Sequence, residues 1–468
     1  MVAIMIDTSK TPALETFRPK LHRFFELSGR KIHAIEQHWG DRPGTPVFTV
    51  DGIYTSRGWT EWTQGFRFGS MLLHYEATGD IDALDAGVAA TVRRMAVHVT
   101  HTGVHDHGFN TISTWGALWR LITAGAAPER CERYLSATEL AIKTSGAVQA
   151  SRWRDAAEGL GYIFSFNGPH SLFADTIRSL RVLALAHRLG HILMGEQDRR
   201  ISLLDRLLTH AETTARYAVY FGEGRDIYDI RGRVAHESLF NPRNGAYRCP
   251  ATQQGYSPFT TWTRALAWIL LGFAELAEFL EALDDGLFDA ARPCPERDRA
   301  GWIERCVDVA SAVADYYIDS SPSDGIPYWD TGAPGLALIE NYDATPAKPF
   351  NRHEPVDSSA ASICAQGLIR LSGLVQRRRD ETRARGYMNA ALTTAARLLE
   401  EPYLSADDSH QGLVLHSVYH RPNGWDHIPA GQAVPCGESS MWGDYHAREV
   451  ALMLLRMVDK KRFCTFFG

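Results

Sequence analysis

Cysteine is scarce in this chain. There are seven, Cys131, Cys249, Cys294, Cys306, Cys364, Cys436 and Cys464, with no CxxC spacing among them. An odd, scattered set excludes a dense disulfide framework and a cysteine-built zinc site, and it suits reduced thiols. No apolar run approaches the roughly 20 residues of a membrane-spanning helix. Residues 1–7 reach an acid too soon for a secretory leader, so a cytoplasmic location is expected. A basic excess is missing too: 49 Lys and Arg stand against 55 Asp and Glu, for a net charge of −6. That balance argues against a nucleic-acid partner, which needs a cationic face. No linker rich in Pro, Gly or Ser divides the chain, so a single domain over residues 1–468 is expected.

The chain does have one phrase that recurs: a small or polar lead-in, often with tryptophan, followed by an apolar helix. The copies are Glu61-Trp62-Thr63-Gln64-Gly65-Phe66, Ala174-Asp175-Thr176, Thr261-Trp262-Thr263-Arg264, Asp357-Ser358-Ser359-Ala360 and Met441-Trp442-Gly443-Asp444-Tyr445. The last four are separated by steps of 87, 96 and 84 residues, enough for two decorated helical hairpins each. Repeats alike in grammar but not in sequence suggest hairpins set in a ring. Segments 171–189, 260–283, 358–371 and 449–457 are apolar on most faces, whereas 198–217, 299–319 and 383–400 are amphipathic. Fully buried helices alternating with half-buried ones imply an inner and an outer ring. The expected fold is all-α, an (α/α)6 barrel built as a toroid of six helical hairpins. The best strand candidate is 412–419. Helix starts of this kind gather aromatic and polar side chains at one end of the ring, as a sugar cleft requires.

Two aspartates are candidates for chemistry. Asp106 lies in His105-Asp106-His107-Gly108-Phe109, and Asp175 opens the 171–189 segment. A carboxylate in such apolar surroundings must be paired, hydrogen-bonded or protonated. Two facing one cleft repel, which raises the pKa of one and makes it a proton donor. The competing reading is that each caps a helix N-terminus. His98, His101, His105 and His107 cluster, but their spacing lacks a rigid ligand platform, and no metal or cofactor is expected. Of the tryptophans Trp59, Trp62, Trp115, Trp262, Trp268, Trp329 and Trp442, those at helix starts suit a sugar cleft, while Trp268, in mid-helix, suits the core. Arg264 is a cation in an apolar helix and needs an anion, either a protein carboxylate or a substrate carboxylate. Asp284-Asp285 suits a solvated turn.

Taken in order, several motifs resemble one family. They are His105-Asp-His-Gly-Phe109, Asp175, His236 with Phe240-Asn-Pro-Arg-Asn-Gly245, Gln254-Gly255, Trp262-Thr-Arg264, Tyr328-Trp-Asp330, Asp357-Ser-Ser-Ala360 and Trp442-Gly-Asp-Tyr445. The chain resembles the unsaturated glucuronyl hydrolases of glycoside hydrolase family 88 over about residues 59–448. The resemblance implies the (α/α)6 barrel and an oligosaccharide substrate carrying a 4,5-unsaturated uronic acid. It also implies hydration of the vinyl ether: a carboxylic acid protonates C4, water adds at C5 and the hemiketal opens. Carried onto this sequence, Asp175 is implied as general acid/base and Asp106 as the second carboxylate. Trp62, His236, Gln254, Trp262, Arg264, Ser358 and Trp442 are implied as substrate-binding. Arg67, Leu266 and Pro355 depart from the family's pattern, and the 430–440 loop lacks the lysine-containing serine cluster of relatives that accept sulfate. Three rival readings are a family-105-like hydrolase of unsaturated galacturonyl-rhamnose, a sugar-binding relative without catalysis, and an ordinary inverting glycosidase.

Overall fold

In the computed structural model, residues 6–9, 12–57, 61–291, 297–463 and 465–467 are described. Trp59, Cys294, Cys464 and residues 1–5 lie outside them. Helices follow where the apolar pattern repeats at helical period. Helix α1 (Phe17–Trp39) buries Leu21, Phe24, Ser28, Lys31 and Ile35, a single stripe. It is followed by α2 (Gln64–Thr78) and α3 (Ile81–Arg94). Next comes α4 (107–123), an α-helix widened by a π turn over Ile112–Gly116. After α5 (Leu135–Ser151), α6 (176–188) runs in two pieces, Thr176–Ser179 and Arg181–Arg188. Then follow α7 (Leu203–Tyr217), α8 (Thr263–Ala282), α9 (Arg299–Ser320), α10 (Ser358–Arg377), α11 (Glu381–Leu398) and α12 (Met441–Val458).

The even-numbered helices are the inner ring. Residues 263–277 of α8, 358–372 of α10 and 441–454 of α12 are buried without a break, as expected of helices covered on all sides. Each inner helix packs on the next, α2 on α4, α4 on α6, and so on to α12, which closes back on α2. The odd-numbered helices pack outside them, giving the (α/α)6 barrel. The recurring phrase of the sequence marks the starts of α2, α6, α8, α10 and α12; the start of α4, at His107, lacks it.

The strand expectation for 412–419 is corrected. That segment is extended but forms only isolated bridges, Leu404 to Val414 and Leu415 to Ser439. Several of its amides go instead to carboxylates: Leu413 and Val414 N–H donate to Asp444, and Tyr419 N–H to Asp426. The ordered strands lie elsewhere. Ser171–Phe173, Glu237–Phe240 and Tyr247–Ala251 make an antiparallel sheet beside the start of α6. The 171–189 segment is therefore strand, turn and broken helix, not one long helix. The five described cysteines are free thiols. No helix among the described residues is long and apolar enough to cross a membrane.

Candidate active site

The starts of α2, α4, α6 and α8 meet at a cavity of about 790 Å³, lined by both aspartates and by Trp62, Gln254, Trp262 and Arg264. Asp106 and Asp175 directly precede α4 and α6, yet neither side chain bonds a helix N–H. The capping reading therefore fails, and the two carboxylates face each other across His105. His105 Nε2 lies 3.4 Å from Asp175 Oδ2 and 3.6 Å from Asp106 Oδ1. One donor atom from each of the three residues lies within 4.8 Å of the other two. His105 is held by its backbone: its carbonyl accepts from Ser179 Oγ at 2.7 Å and Gln149 Nε2 at 2.6 Å.

Burial and charge divide the protons unequally. Burial is the largest influence on Asp106 and raises it. His105 and Arg152 pull it down, Asp175 repels it, and it ends at about 6. Asp175 is also penalised by burial, but its hydrogen bond with His105 and the His105 charge outweigh this and hold it below its usual value. Burial alone would lower His105; the two carboxylates overcome that and raise it. The carboxyl with the raised proton affinity is thus Asp106, mainly through burial and only secondarily through repulsion. His107 plays a structural part, with its ring between Ser145 Oγ at 2.7 Å and the His101 carbonyl at 2.8 Å.

The aromatic wall is a layered stack. Trp62 lies 5.2 Å from Trp442, and the Arg264 guanidinium sits 4.8 Å from Trp442 and 4.5 Å from Trp262. The anion that Arg264 needs is supplied by the protein: Asp357 Oδ2 at 3.1 Å, with Gln254 Oε1 at 2.9 Å and the Tyr419 carbonyl at 2.8 Å. Two residues expected to touch sugar lie behind this wall. Trp442 is fully buried and donates to Ser359 Oγ at 3.0 Å, and Ser358 is enclosed beside Ser417. His236 is buried between Phe173 and Trp262. Its Nδ1 accepts from Gln253 N–H at 3.0 Å, which leaves the proton on Nε2, a buried atom with no partner. Burial lowers its pKa to about 4, so His236 stays neutral.

Of the departures from the family pattern, Arg67 points away from the cavity and pairs with Glu36 of α1 at 2.6 Å. Trp268, expected in the core, is 3% exposed but also edges the cavity floor. Sequence reasoning missed His105 as the bridge between the aspartates. It also missed Phe166, Phe173 and the wall formed by Tyr419, His420, Asn423 and Trp425. The signal for that wall was present: Asn423-Gly424-Trp425-Asp426 is a turn with an aromatic tip.

No family model matches the chain. It is 26% identical over 406 residues to the unsaturated glucuronyl hydrolase of Bacillus sp. strain GL1, covering 85% of this chain and 87% of that one. It is 25% identical to the unsaturated chondroitin disaccharide hydrolase of Streptococcus pyogenes, covering 91% and 89%. The crystal structure of the unsaturated glucuronyl hydrolase from Streptococcus agalactiae superposes with a TM-score of 0.68 at 19% identity, over 99% of this chain and 98% of that one. With the barrel and the ordered motifs in place, these likenesses put the chain in the unsaturated glucuronyl hydrolase family, glycoside hydrolase family 88.

Proposed function

We propose that the protein is a hydrolase that removes a 4,5-unsaturated glucuronic acid from the non-reducing end of short oligosaccharides by hydrating its C4=C5 double bond. The observation that carries this reading is His105 between two carboxyls of opposite proton affinity, at the floor of an aromatic cavity. Asp175 is the general acid/base. It gives a proton to C4 and takes one from the water whose oxygen bonds to C5. The hemiketal so formed opens, releasing the sugar beneath and an α-keto acid. Asp106 and His105 hold the proton supply. The uronate brings a negative charge that raises the proton affinity of Asp175, and His105, within reach of both carboxyls, passes the proton between them. Trp62 and Trp262 stack on the sugar faces, while neutral His236 and Gln254 orient its hydroxyls.

The two carboxyls are too close for an inverting glycosidase, which needs roughly 6.5–9.5 Å between them to fit a water. The far wall supports an uncharged neighbouring sugar over a sulfated one. It presents Tyr419, Asn423 and Trp425, with His420 kept neutral by burial at about 4. Two cations beside it are engaged by the protein: Arg57 donates to the Trp425 carbonyl at 2.8 Å and Arg264 to the Tyr419 carbonyl at 2.8 Å.

The test is loss of the ultraviolet band of the conjugated C4=C5 uronate across lyase-generated disaccharides, including galacturonyl-rhamnose. The band should fade with wild type, more slowly as pH rises past the value of about 6 at which Asp106 ionises, and should persist with Asp175→Asn. A binding protein without catalysis would leave the band intact with every variant.

A further inference from the structure

Away from the cleft, one cluster of possible ligand atoms has no part in the proposed reaction. Asp51 lies at the turn of the hairpin formed by Phe48–Val50 and Ile53–Thr55, in the left-handed region at φ 49°, followed by Gly52 at φ 77°. That turn carries its carboxylate out to His427, whose Nε2 is 3.0 Å from Asp51 Oδ1. On the other side of the same nitrogen, Glu438 Oε1 is 3.9 Å away. Glu438 is 5% exposed. Its Oε2 is fixed by Thr49 Oγ1 at 2.5 Å and Gly52 N–H at 3.3 Å, while its Oε1 accepts no hydrogen bond from the described residues.

The charges do not balance. Among the described residues, neither Asp51 nor Glu438 has a Lys or Arg partner, so two carboxylates share one imidazole. His410 does not relieve this. Its Nδ1 accepts from Gly412 N–H, so its Nε2 carries the proton and donates to the Gly437 carbonyl at 3.1 Å. With Glu438 Oε1 facing a second carboxylate, a cation between the two would balance their charge.

We propose that Asp51, His427 and Glu438 form a divalent-cation site of the zinc class. One imidazole and two carboxylates are a familiar donor set for that ion, and its bonds of about 2.0–2.2 Å place ligand atoms roughly 3.3 Å apart. Here all three donor atoms lie within 4.8 Å of one another, so closing on an ion needs only a small contraction. The Asp51 side chain is 82% exposed, leaving room for water at the remaining position. The site would clasp the hairpin to the 419–438 segment, in which Trp425 lies two residues before His427. The cation thus braces the far wall of the cavity from outside.

The test is calorimetric titration of chelator-treated, full-length protein with zinc chloride. Wild type should bind one ion at this site, and His427→Ala and Asp51→Asn should each weaken it at least about tenfold. Asp106→Asn, which removes a donor from the other His/Asp cluster, should leave that affinity as it was. Absence of zinc binding by folded wild type overturns the proposal, as does binding unchanged in His427→Ala or lost in Asp106→Asn. Asp51, an exposed turn residue, keeps the test decisive should His427→Ala fail to fold. The outcome is independent of whether the hydration reaction is found.

Discussion

Asp106 resists ionisation because the barrel surrounds it, and that has a cost to the fold that can be measured. Its pKa is about 6 folded against an ordinary value of 3.8. A carboxyl whose pKa rises on folding destabilises the protein once ionised; the penalty is absent below about pH 3.8 and complete above about 6. Roughly two units correspond to about 3 kcal/mol. Asp106→Asn should therefore raise the unfolding free energy at pH 8 by an amount of that order, and the gain should shrink as pH falls through 6. Denaturant midpoints at pH 8 and pH 5 check this; an equal gain at both would show that ionisation is not the source. Both aspartates were legible in the sequence because carboxylates in apolar surroundings are conspicuous. Which one holds the proton was not, because that depends on His105 Nε2 reaching across 70 residues to Asp175.

At the scale of the element, the site depends on how closely α4 approaches α6. An added Cβ on Gly108 would lie 1.8 Å from the Ser179 carbonyl oxygen. The same contact region fixes His105 through Ser179 Oγ. Gly108→Ala should cost roughly 1–3 kcal/mol by overpacking and should reduce turnover by displacing His105. Gly286→Ala, with open space around it, serves as the control. Urea midpoints and turnover of both variants decide it; matching behaviour would disprove the close-approach argument. The helices themselves were legible because burial writes itself into the 3.6-residue period. The break in α6 at Leu180 and the π turn in α4 were not, since both keep an apolar pattern and differ only in backbone bonding. The 412–419 segment misled for a related reason: alternation reads as a strand, but several of its amides are satisfied by side chains, among them Asp444, some 30 residues along the chain.

Across the whole molecule, the inner ring is tied below the cavity by a buried ionic cluster. Glu275 of α8 lies 3.0 Å from Arg178 and 3.6 Å from Arg181 of α6, and 3.5 Å from Arg370 of α10. Arg178 also reaches Glu449 of α12 at 3.4 Å. Removing one charge from such a cluster leaves others buried without compensation. Glu275→Gln should thus lose about 3–5 kcal/mol, read as a fall in the denaturant midpoint; a change below about 1 kcal/mol would mean that the cluster is hydrated and weakly coupled. The ring was legible from the spacing of the helix starts, which turns repetition in sequence into rotation in space. The ionic floor was not, because no local pattern marks charges whose partners come from four helices.

Closure of the ring also sets an order of assembly. The stave α12 joins α2, and Arg456 bonds Glu76 across 380 residues of chain. On the ribosome, five staves can stand while the sixth is still unmade. During that time the barrel is an open arc whose two free edges lack their neighbour, and the cleft lacks the Trp442 backing against which Trp62 stacks. The last stave is therefore the keystone of the ring: its docking joins the two free edges and gives Trp62 its backing.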